Sequence, residues 1–239
     1  MVKLFQLLML YRKILLFVFL ILTIVTHAQT QLVGIKSGVN LTNVTNNKIY
    51  SNCLYKLGFG GGFTYEYLFK NKISLGVDFL YAQKGFEQKL NFILGDPLDP
   101  VRGNITVDPN TSSSLPTKIY HRYDFISVPI KISYSYGKKL YGMGSIGFMP
   151  SYMIAEKVSY DNYPTKSYLD IEKAKRFEFS GIAELGAGYQ FKKRWHLVFS
   201  TSYFYAFNGI NGANYYLYDD IKNYGFNASL GLKYQLGNK

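Results

Sequence analysis

The most constraining feature of the chain is a strict alternation of apolar and polar residues that recurs along its length. In residues 57–67, bulky apolar side chains occupy the odd positions apart from Gly61, whereas the even positions carry glycines, Thr64 and Glu66. A period of two is typical of a β-strand with two different faces. The alternation predicts eight strands, of which the fifth is ambiguous in its facing: 32–41, 57–67, 73–84, 124–136, 140–154, 177–191, 195–207 and 224–236.

The connections between these strands alternate between long and short. The long ones are polar and lie at about 42–56, 85–123, 155–176 and 208–223, and the short turns lie at 68–72, 137–139 and 192–194. Short turns at one end and long loops at the other are typical of an up-and-down meander. An even number of such strands can close into a barrel.

The residue types on the two faces indicate which solvent each face meets. One face is rich in Gly, Ser and Asn, which cannot form an apolar interior. The other is aliphatic in the middle of the strands and aromatic near their ends, in a chain with 23 Tyr and 18 Phe. An aliphatic band between aromatic girdles is typical of membrane-spanning barrels. The sequence therefore predicts an all-β fold: an eight-stranded antiparallel up-and-down transmembrane β-barrel with short periplasmic turns and long extracellular loops.

The N-terminal segment has the pattern of an export signal. Two basic residues precede an apolar run over 14–25, and Ala28 ends a small-residue cleavage site. The run is shorter than the roughly 20 residues that a membrane-spanning helix needs. We therefore expect a cleaved signal peptide over 1–28, with Met9 as an alternative start, and an outer-membrane β-barrel domain over 29–239 in a Gram-negative envelope.

Two further classes are excluded, nucleic-acid-binding proteins and disulfide-stabilised domains. The formal net charge is +12, and a basic balance often indicates a nucleic-acid partner. An exported protein rarely meets nucleic acid, so no such partner is expected. Cys53 is the only cysteine in the chain, so no intrachain disulfide can form.

Motifs for catalysis and for cofactors are weak. Residues 142–147 match G-x-G-x-x-G, but no helix follows them, as a dinucleotide site would require; we interpret these glycines as lumen residues that allow close strand packing. His121 and His196 are the histidines of 29–239, and no nucleophilic residue lies at a spacing from either that is typical of a catalytic pair. The aspartates of 96–108 do not fit a calcium-binding loop. The sequence predicts no enzyme, no cofactor and no metal site.

Six charged residues fall on the polar faces of six different strands, three of each sign. Charges in a narrow interior are costly unless they are paired. We therefore predict an internal salt-bridge network in the periplasmic half that plugs the barrel. The alternatives are charges that face lumen water singly, and a path for a ligand or protons. The six residues are Lys36, Glu66, Asp78, Lys131, Glu184 and Lys233.

Four segments resemble the PorT-like outer-membrane β-barrels of the Bacteroidetes. They are 34–41 (GIKSGVNL), 73–85 (ISLGVDFLYAQKG), 125–131 (FISVPIK) and 231–234 (GLKY). The resemblance extends over 29–239, although the chain ends on 237–239 (GNK), where such barrels often end on an aromatic residue. It implies an outer-membrane location, and one branch of this family is associated with type IX secretion and gliding.

The leading functional expectation is a structural or interaction role. We expect a monomer in outer-membrane lipid that meets a protein partner through its extracellular loops or periplasmic turns, within a secretion assembly if it follows that branch. A small-solute channel and a soluble lipocalin-like carrier are the alternatives. The interior of an eight-stranded barrel is just wide enough for side chains, which disfavours the channel. Solubility without detergent would indicate the carrier.

Overall fold

The computed structural model describes residues 30–45, 53–69, 72–89, 118–160, 163–167, 175–210 and 221–237. The predicted signal peptide and a part of each long connection lie outside these residues. Within the described ranges, no helix is long and apolar enough to cross a membrane. The strands are β1 (Gln31–Val44), β2 (Cys53–Leu68), β3 (Ile73–Lys89), β4 (Lys118–Ser127), β5 (Ile130–Gly137), β6 (Leu140–Tyr160), β7 (Tyr163–Ser167), β8 (Phe177–Phe191), β9 (Trp195–Ala206) and β10 (Asn223–Leu236).

The strands form one antiparallel sheet that closes on itself. β1 pairs with β2 on one side and with β10 on the other, so the first and last strands complete a ring. The order around the ring is β1, β2, β3, β4 together with β5, β6, β8, β9 and β10. Because the sheet closes on itself, its backbone N–H and C=O groups find hydrogen-bond partners within the barrel, as a bilayer requires. The predicted eight-stranded up-and-down barrel is confirmed.

The fourth strand of the ring is divided into β4 and β5 by Val128 and Pro129. The sequence predicts one continuous strand over 124–136, but proline has no backbone N–H to continue the ladder. The Val128 N–H donates to the Pro150 carbonyl at 2.9 Å, and the Pro129 carbonyl accepts from the Asp78 N–H at 3.0 Å. These bonds keep both halves in the ring, so the topology is unchanged.

The strands extend further towards the long loops than the alternation predicts. β3 continues to Lys89 and β4 begins at Lys118, and the two pair along these extensions. The predicted loop bounds of 85–123 are therefore wrong. β6 likewise continues to Tyr160 and pairs with β7 inside the segment predicted as the loop 155–176. The alternation of residue types is imposed by the bilayer and fades beyond it, whereas backbone pairing continues.

The two faces are inverted relative to those of a soluble protein. Ile146 and Leu185 point outward and are 70% and 68% exposed, whereas the adjacent Ser145 and Glu184 point inward and are 5% and 4% exposed. This contrast settles the facing of β6, which the sequence left ambiguous. Its outward residues include Ile146, Phe148 and Tyr152, and its inward ones Ser145, Met149 and Met153.

Aromatic side chains mark both ends of the outward apolar band. Those near the short turns include Tyr134, Tyr136, Tyr189 and Trp195, and those near the long loops Tyr203, Tyr205 and Phe207. Tyr67 belongs to the bulky face predicted over 57–67 but is buried, and its ring packs edge-on against Phe69 with centroids 5.0 Å apart. The girdles place the hydrocarbon layer between them.

The interior changes character towards the long-loop end, where an apolar cluster fills the barrel. Phe86, Phe125 and Met153 lie at its centre and are fully buried. The remaining members are Val44, Tyr123, Ile210 and Ile221, with Cys53 packed against them. This cluster, called the apolar cap below, lies on the extracellular side of the charged residues described next.

Candidate functional site

The predicted interior charges stand beside small neighbours. In the register of the sheet, Lys36 lies between Gly62 and Gly231 on the two flanking strands. Lys131 on β5 faces Gly147 on β6 in the same way. Because glycine puts no side chain into the lumen, each lysine can reach past the adjacent strand to a more distant one. The glycines therefore provide the space that interior ion pairs need.

Four of the six predicted residues form a closed ring of ion pairs, called the charge ring below. Lys131 Nζ lies 2.9 Å from Asp78 Oδ2 and 3.0 Å from Glu184 Oε1. Lys36 Nζ lies 2.6 Å from the same Asp78 oxygen and 3.7 Å from Glu184 Oε2. Each cation thus contacts both anions, which makes the cluster neutral. Its members come from β1, β3, β5 and β8, so it reaches across the lumen.

The other two predicted residues pair closer to the short turns. Lys233 Nζ donates to Glu66 Oε2 at 2.7 Å, and this contact skips β1, which separates their strands. The Ser74 hydroxyl donates to the second oxygen of Glu66. Both oxygens of this buried carboxylate therefore have a donor, which offsets the cost of removing it from water. We call Glu66 and Lys233 the periplasmic pair.

A third ion pair, which the sequence analysis did not include, lies beneath the apolar cap. Lys84 Nζ lies 2.5 Å from Glu178 Oε1, with 2% and 1% of the two side chains exposed. Glu178 also accepts from Asn223 Nδ2 at 2.5 Å and from the Ser180 hydroxyl at 3.1 Å. Alternation places both charged residues on the polar face. They were missed because they lie at strand ends, next to segments predicted as loops.

Lys84 and Glu178 are called the extracellular pair below, and the Lys84 ammonium group also contacts two aromatic rings, one of which belongs to the apolar cap. Lys84 Nζ lies 4.8 Å from the centroid of Phe125 and 4.5 Å from that of Phe204. Such cation–π contacts are attractive when the cation has lost its water. The extracellular pair is thereby joined to the apolar cap, and charge and apolar packing fill this end of the barrel together.

Small polar side chains bridge neighbouring strands between the charged levels. Three pairs of serine hydroxyls lie within hydrogen-bond distance: Ser127 and Ser151 at 2.8 Å, Ser133 and Ser145 at 2.8 Å, and Ser200 and Ser229 at 3.0 Å. The spaces left beside the charged groups measure about 20 and 50 Å³. Sites for small-molecule ligands usually measure about 300–1,000 Å³, so these spaces suit water and not an organic ligand.

The glycine motif of 142–147 does not form the lumen lining that the sequence analysis assigned to it. Gly142 and Gly144 lie on the outward face with Ile146, and only Gly147 of the three points inward. A Cβ at Gly147 would meet the Ile130 carbonyl oxygen at 2.0 Å. The interpretation of the motif as lumen glycines is therefore wrong for the first two and right for the third. No helix follows the motif.

The histidines and aspartates considered from the sequence do not converge on a site. The Tyr141 hydroxyl lies 3.3 Å from His196 Nδ1, and His121 stacks on Phe86 with centroids 4.4 Å apart. The aspartates of 96–108 lie outside the described residues. Within the ranges that the structure does describe, no three His, Cys, Asp or Glu side chains are grouped so as to hold a metal ion.

The closed ring of strands, its apolar outer face and its charged interior define a small integral β-barrel protein of the outer membrane. The sequence agrees with this class. Residues 27–212 match the family described as "Outer membrane protein beta-barrel domain", and the chain belongs to this family.

The chain is also similar to solved structures of other proteins, three of which are Ail, OprG and Neisserial surface protein A. Ail, the attachment invasion locus protein of Yersinia pestis, is 17% identical over 86% of this chain and 99% of its own, with a TM-score of 0.42. OprG from Pseudomonas aeruginosa is 11% identical over 88% and 97%, with a TM-score of 0.43. Neisserial surface protein A is 10% identical over 84% and 96%, with a TM-score of 0.42. No curated protein sequence matches the chain.

Proposed function

We propose that the protein is a PorT-like barrel that does not conduct solutes and that acts as a membrane-embedded scaffold for a protein partner. The observation that carries this proposal is the charge ring, in which Lys36, Asp78, Lys131 and Glu184 bind one another across the lumen. An exported, non-enzymatic monomer with a cleaved signal peptide is part of the same proposal.

Obstruction at three depths supports a closed lumen. The periplasmic pair lies nearest the short turns, the charge ring follows, and the extracellular pair lies beneath the apolar cap. Lys131 and Asp78 lie on the neighbouring strands β5 and β3, but the other ion pairs join strands that are not neighbours in the sheet and so lie across the interior. A hydrated ion would have to displace paired charges at every level, at a cost of several kcal/mol per uncompensated ion.

The same interior argues against a carrier of apolar ligands. A lipocalin-like protein holds its ligand in an apolar cavity and faces water with polar residues, whereas this barrel has the opposite arrangement. Exposed Ile146, Leu185 and Phe63 belong to a continuous outward band. The spaces beside the interior charges are also far smaller than a ligand site. A closed lumen and an apolar outside leave the loops and turns as the surfaces on which a function can reside.

The longest connection in the sequence is 90–117, between β3 and β4. A connection longer than about 12–15 residues is uncommon between two strands and is often functional. It belongs to the side that faces the medium if the short turns face the periplasm, as is usual for such barrels. The resemblance to PorT-like barrels supports a partner within an envelope assembly such as a secretion apparatus.

The scaffold proposal is tested by cross-linking on intact cells. A membrane-impermeant, amine-reactive reagent is applied to cells that carry the wild type or a variant with 91–116 replaced by a short Gly-Ser linker. We expect an adduct of defined mass with the wild type that is lost with the variant. Heat-modifiable gel migration of the variant shows that its barrel still closes. Identical adducts in both strains, or none with the wild type, would contradict the proposal.

A further inference from the structure

A ring of basic residues surrounds the end of the barrel that carries the short turns. The three turns contain seven lysines and arginines and no acidic residue. Lys70 lies outside the described residues, and the other six are called the basic rim. The described turn residues next to the rim, such as Gly137, are uncharged. The members of the basic rim are Lys72, Lys138, Lys139, Lys192, Lys193 and Arg194, all exposed.

Backbone conformation gives an independent sign that charge matters at these positions. Lys72, Lys192 and Lys193 have φ values of 64°, 47° and 60°. This left-handed region is unfavourable for a residue with a Cβ, and Gly, Asn or Asp usually occupies it. Lysine is thus placed where a neutral residue would fit the turn with less strain. Strain kept at a surface position points to a role for the side chain.

Two members of the basic rim, Lys72 and Arg194, contact residues of the aromatic girdle. Lys72 Nζ lies 4.6 Å from the centroid of the outward Tyr136 ring. Arg194 Nη1 donates to the Tyr234 hydroxyl at 3.2 Å, and the Tyr234 ring contacts Trp195 with centroids 5.0 Å apart. Tyrosine and tryptophan of a girdle lie at the depth of the lipid headgroups. The cations beside them therefore lie at the depth of the phosphates.

The largest concentration of charge in the rim lies beside a wide, open cup. The cup measures about 790 Å³, and Lys139, Lys192, Lys193 and Arg194 line it together with the amides of Gln190 and Gln235. None of its described lining residues carries a carboxylate. A surface of ammonium, guanidinium and amide donors is complementary to an anion with several acceptor oxygens.

We propose that the basic rim binds the phosphate groups of anionic phospholipids in the periplasmic leaflet of the outer membrane. The rim follows all three turns around the circumference of the barrel, as a shell of lipids does, whereas one docked acidic protein would need a patch on one side. Each basic group close to an anionic lipid surface raises the affinity of a protein for that surface by about fivefold. This inference concerns the outside of the barrel and does not depend on whether the lumen conducts.

The single tryptophan of the chain makes the proposal measurable. Trp195 follows Arg194 and lies on the outward face, 37% exposed, so a bound lipid with brominated chains quenches its fluorescence. The full-length protein is reconstituted into vesicles of phosphatidylcholine that contain brominated phosphatidylglycerol or, in parallel, brominated phosphatidylcholine. Both leaflets have the same composition, so the orientation of insertion does not matter. We expect about fivefold preferential quenching by the anionic lipid at low salt, and its loss in high salt.

Two matched variants show whether the preference is local. Lys192→Asn with Lys193→Asn removes two charges next to Trp195, and asparagine tolerates the left-handed backbone; the preference should fall clearly below that of the wild type. Lys72→Asn makes the same kind of change in the turn between β2 and β3, on the opposite side of the ring, and should leave it intact. Equal quenching by the two lipids in the wild type would overturn the proposal. So would an equal loss in both variants, or rim-dependent binding of a polyglutamate peptide without any lipid preference.

Discussion

Lys84 on β3 and Glu178 on β8 lie 94 positions apart in the chain, and their charged groups meet at 2.5 Å inside the barrel. Their strands are not neighbours in the sheet, so the contact spans the lumen. The same is true of the pairs that join Lys131 to Glu184 and Lys233 to Glu66. The interior is thus held by bonds across the ring in addition to the ladder around it.

The extracellular pair should contribute strongly to stability because almost none of either side chain is exposed. Lys84→Met or Glu178→Gln alone leaves one group of a buried pair without its partner, and each should cost on the order of 3–5 kcal/mol of unfolding free energy. The double variant should cost clearly less than the sum of the two. Urea unfolding in lipid vesicles measures all three. Strictly additive losses would contradict a direct pair.

The charge ring predicts an order among its lysines. Lys131 has both carboxylates within 3.0 Å, whereas Lys36 has one at 2.6 Å and the other at 3.7 Å. Lys131→Met should therefore lower the unfolding free energy by an amount on the order of 3–5 kcal/mol. The loss in Lys36→Met should be smaller. Lys139→Met in an exposed turn is the control and should stay within about 0.5 kcal/mol. An unfolding midpoint unchanged by Lys131→Met would refute the ring.

Two glycines of β6 should differ in their response to the same substitution. A Cβ at Gly147 would lie 2.0 Å from the Ile130 carbonyl oxygen, whereas a Cβ at Gly142 meets nothing within 4 Å. Gly147→Ala should lower the unfolding free energy by about 1–3 kcal/mol through overpacking. Gly142→Ala should leave it nearly unchanged. Similar losses of unfolding free energy in both variants would show that the close contact at Gly147 is not the cause of its loss.

The sequence predicts the strands, the inward facing of six charged residues and the membrane class, because alternation is imposed directly by lipid on one side and a narrow lumen on the other. It does not predict which charges meet. The pairing of Lys36 with Asp78, for instance, depends on the stagger of strands around the ring. Alternation also ends where lipid ends, which explains why it does not predict the extensions of β3 and β4.

The orientation of the barrel predicts where a protease can act. The segment 90–117 contains Arg102, and the short turns contain adjacent lysines such as Lys138 and Lys139. Trypsin added to intact cells should cut after Arg102, because long loops face the medium and short turns the periplasm. The turn sites should become accessible only after the outer membrane is opened. Cleavage at the turns of intact cells would invert the topology.

The central claim, that interior charges close this barrel, is tested most directly by single-channel recording in planar bilayers. The purified wild type should insert, as shown by heat-modifiable migration of the recovered protein, and should give no stable conductance steps. Lys131→Met should also remain silent, because the periplasmic and extracellular pairs persist in it. A porin recorded under the same conditions verifies the sensitivity. Stable ionic conductance of the wild type would contradict the account.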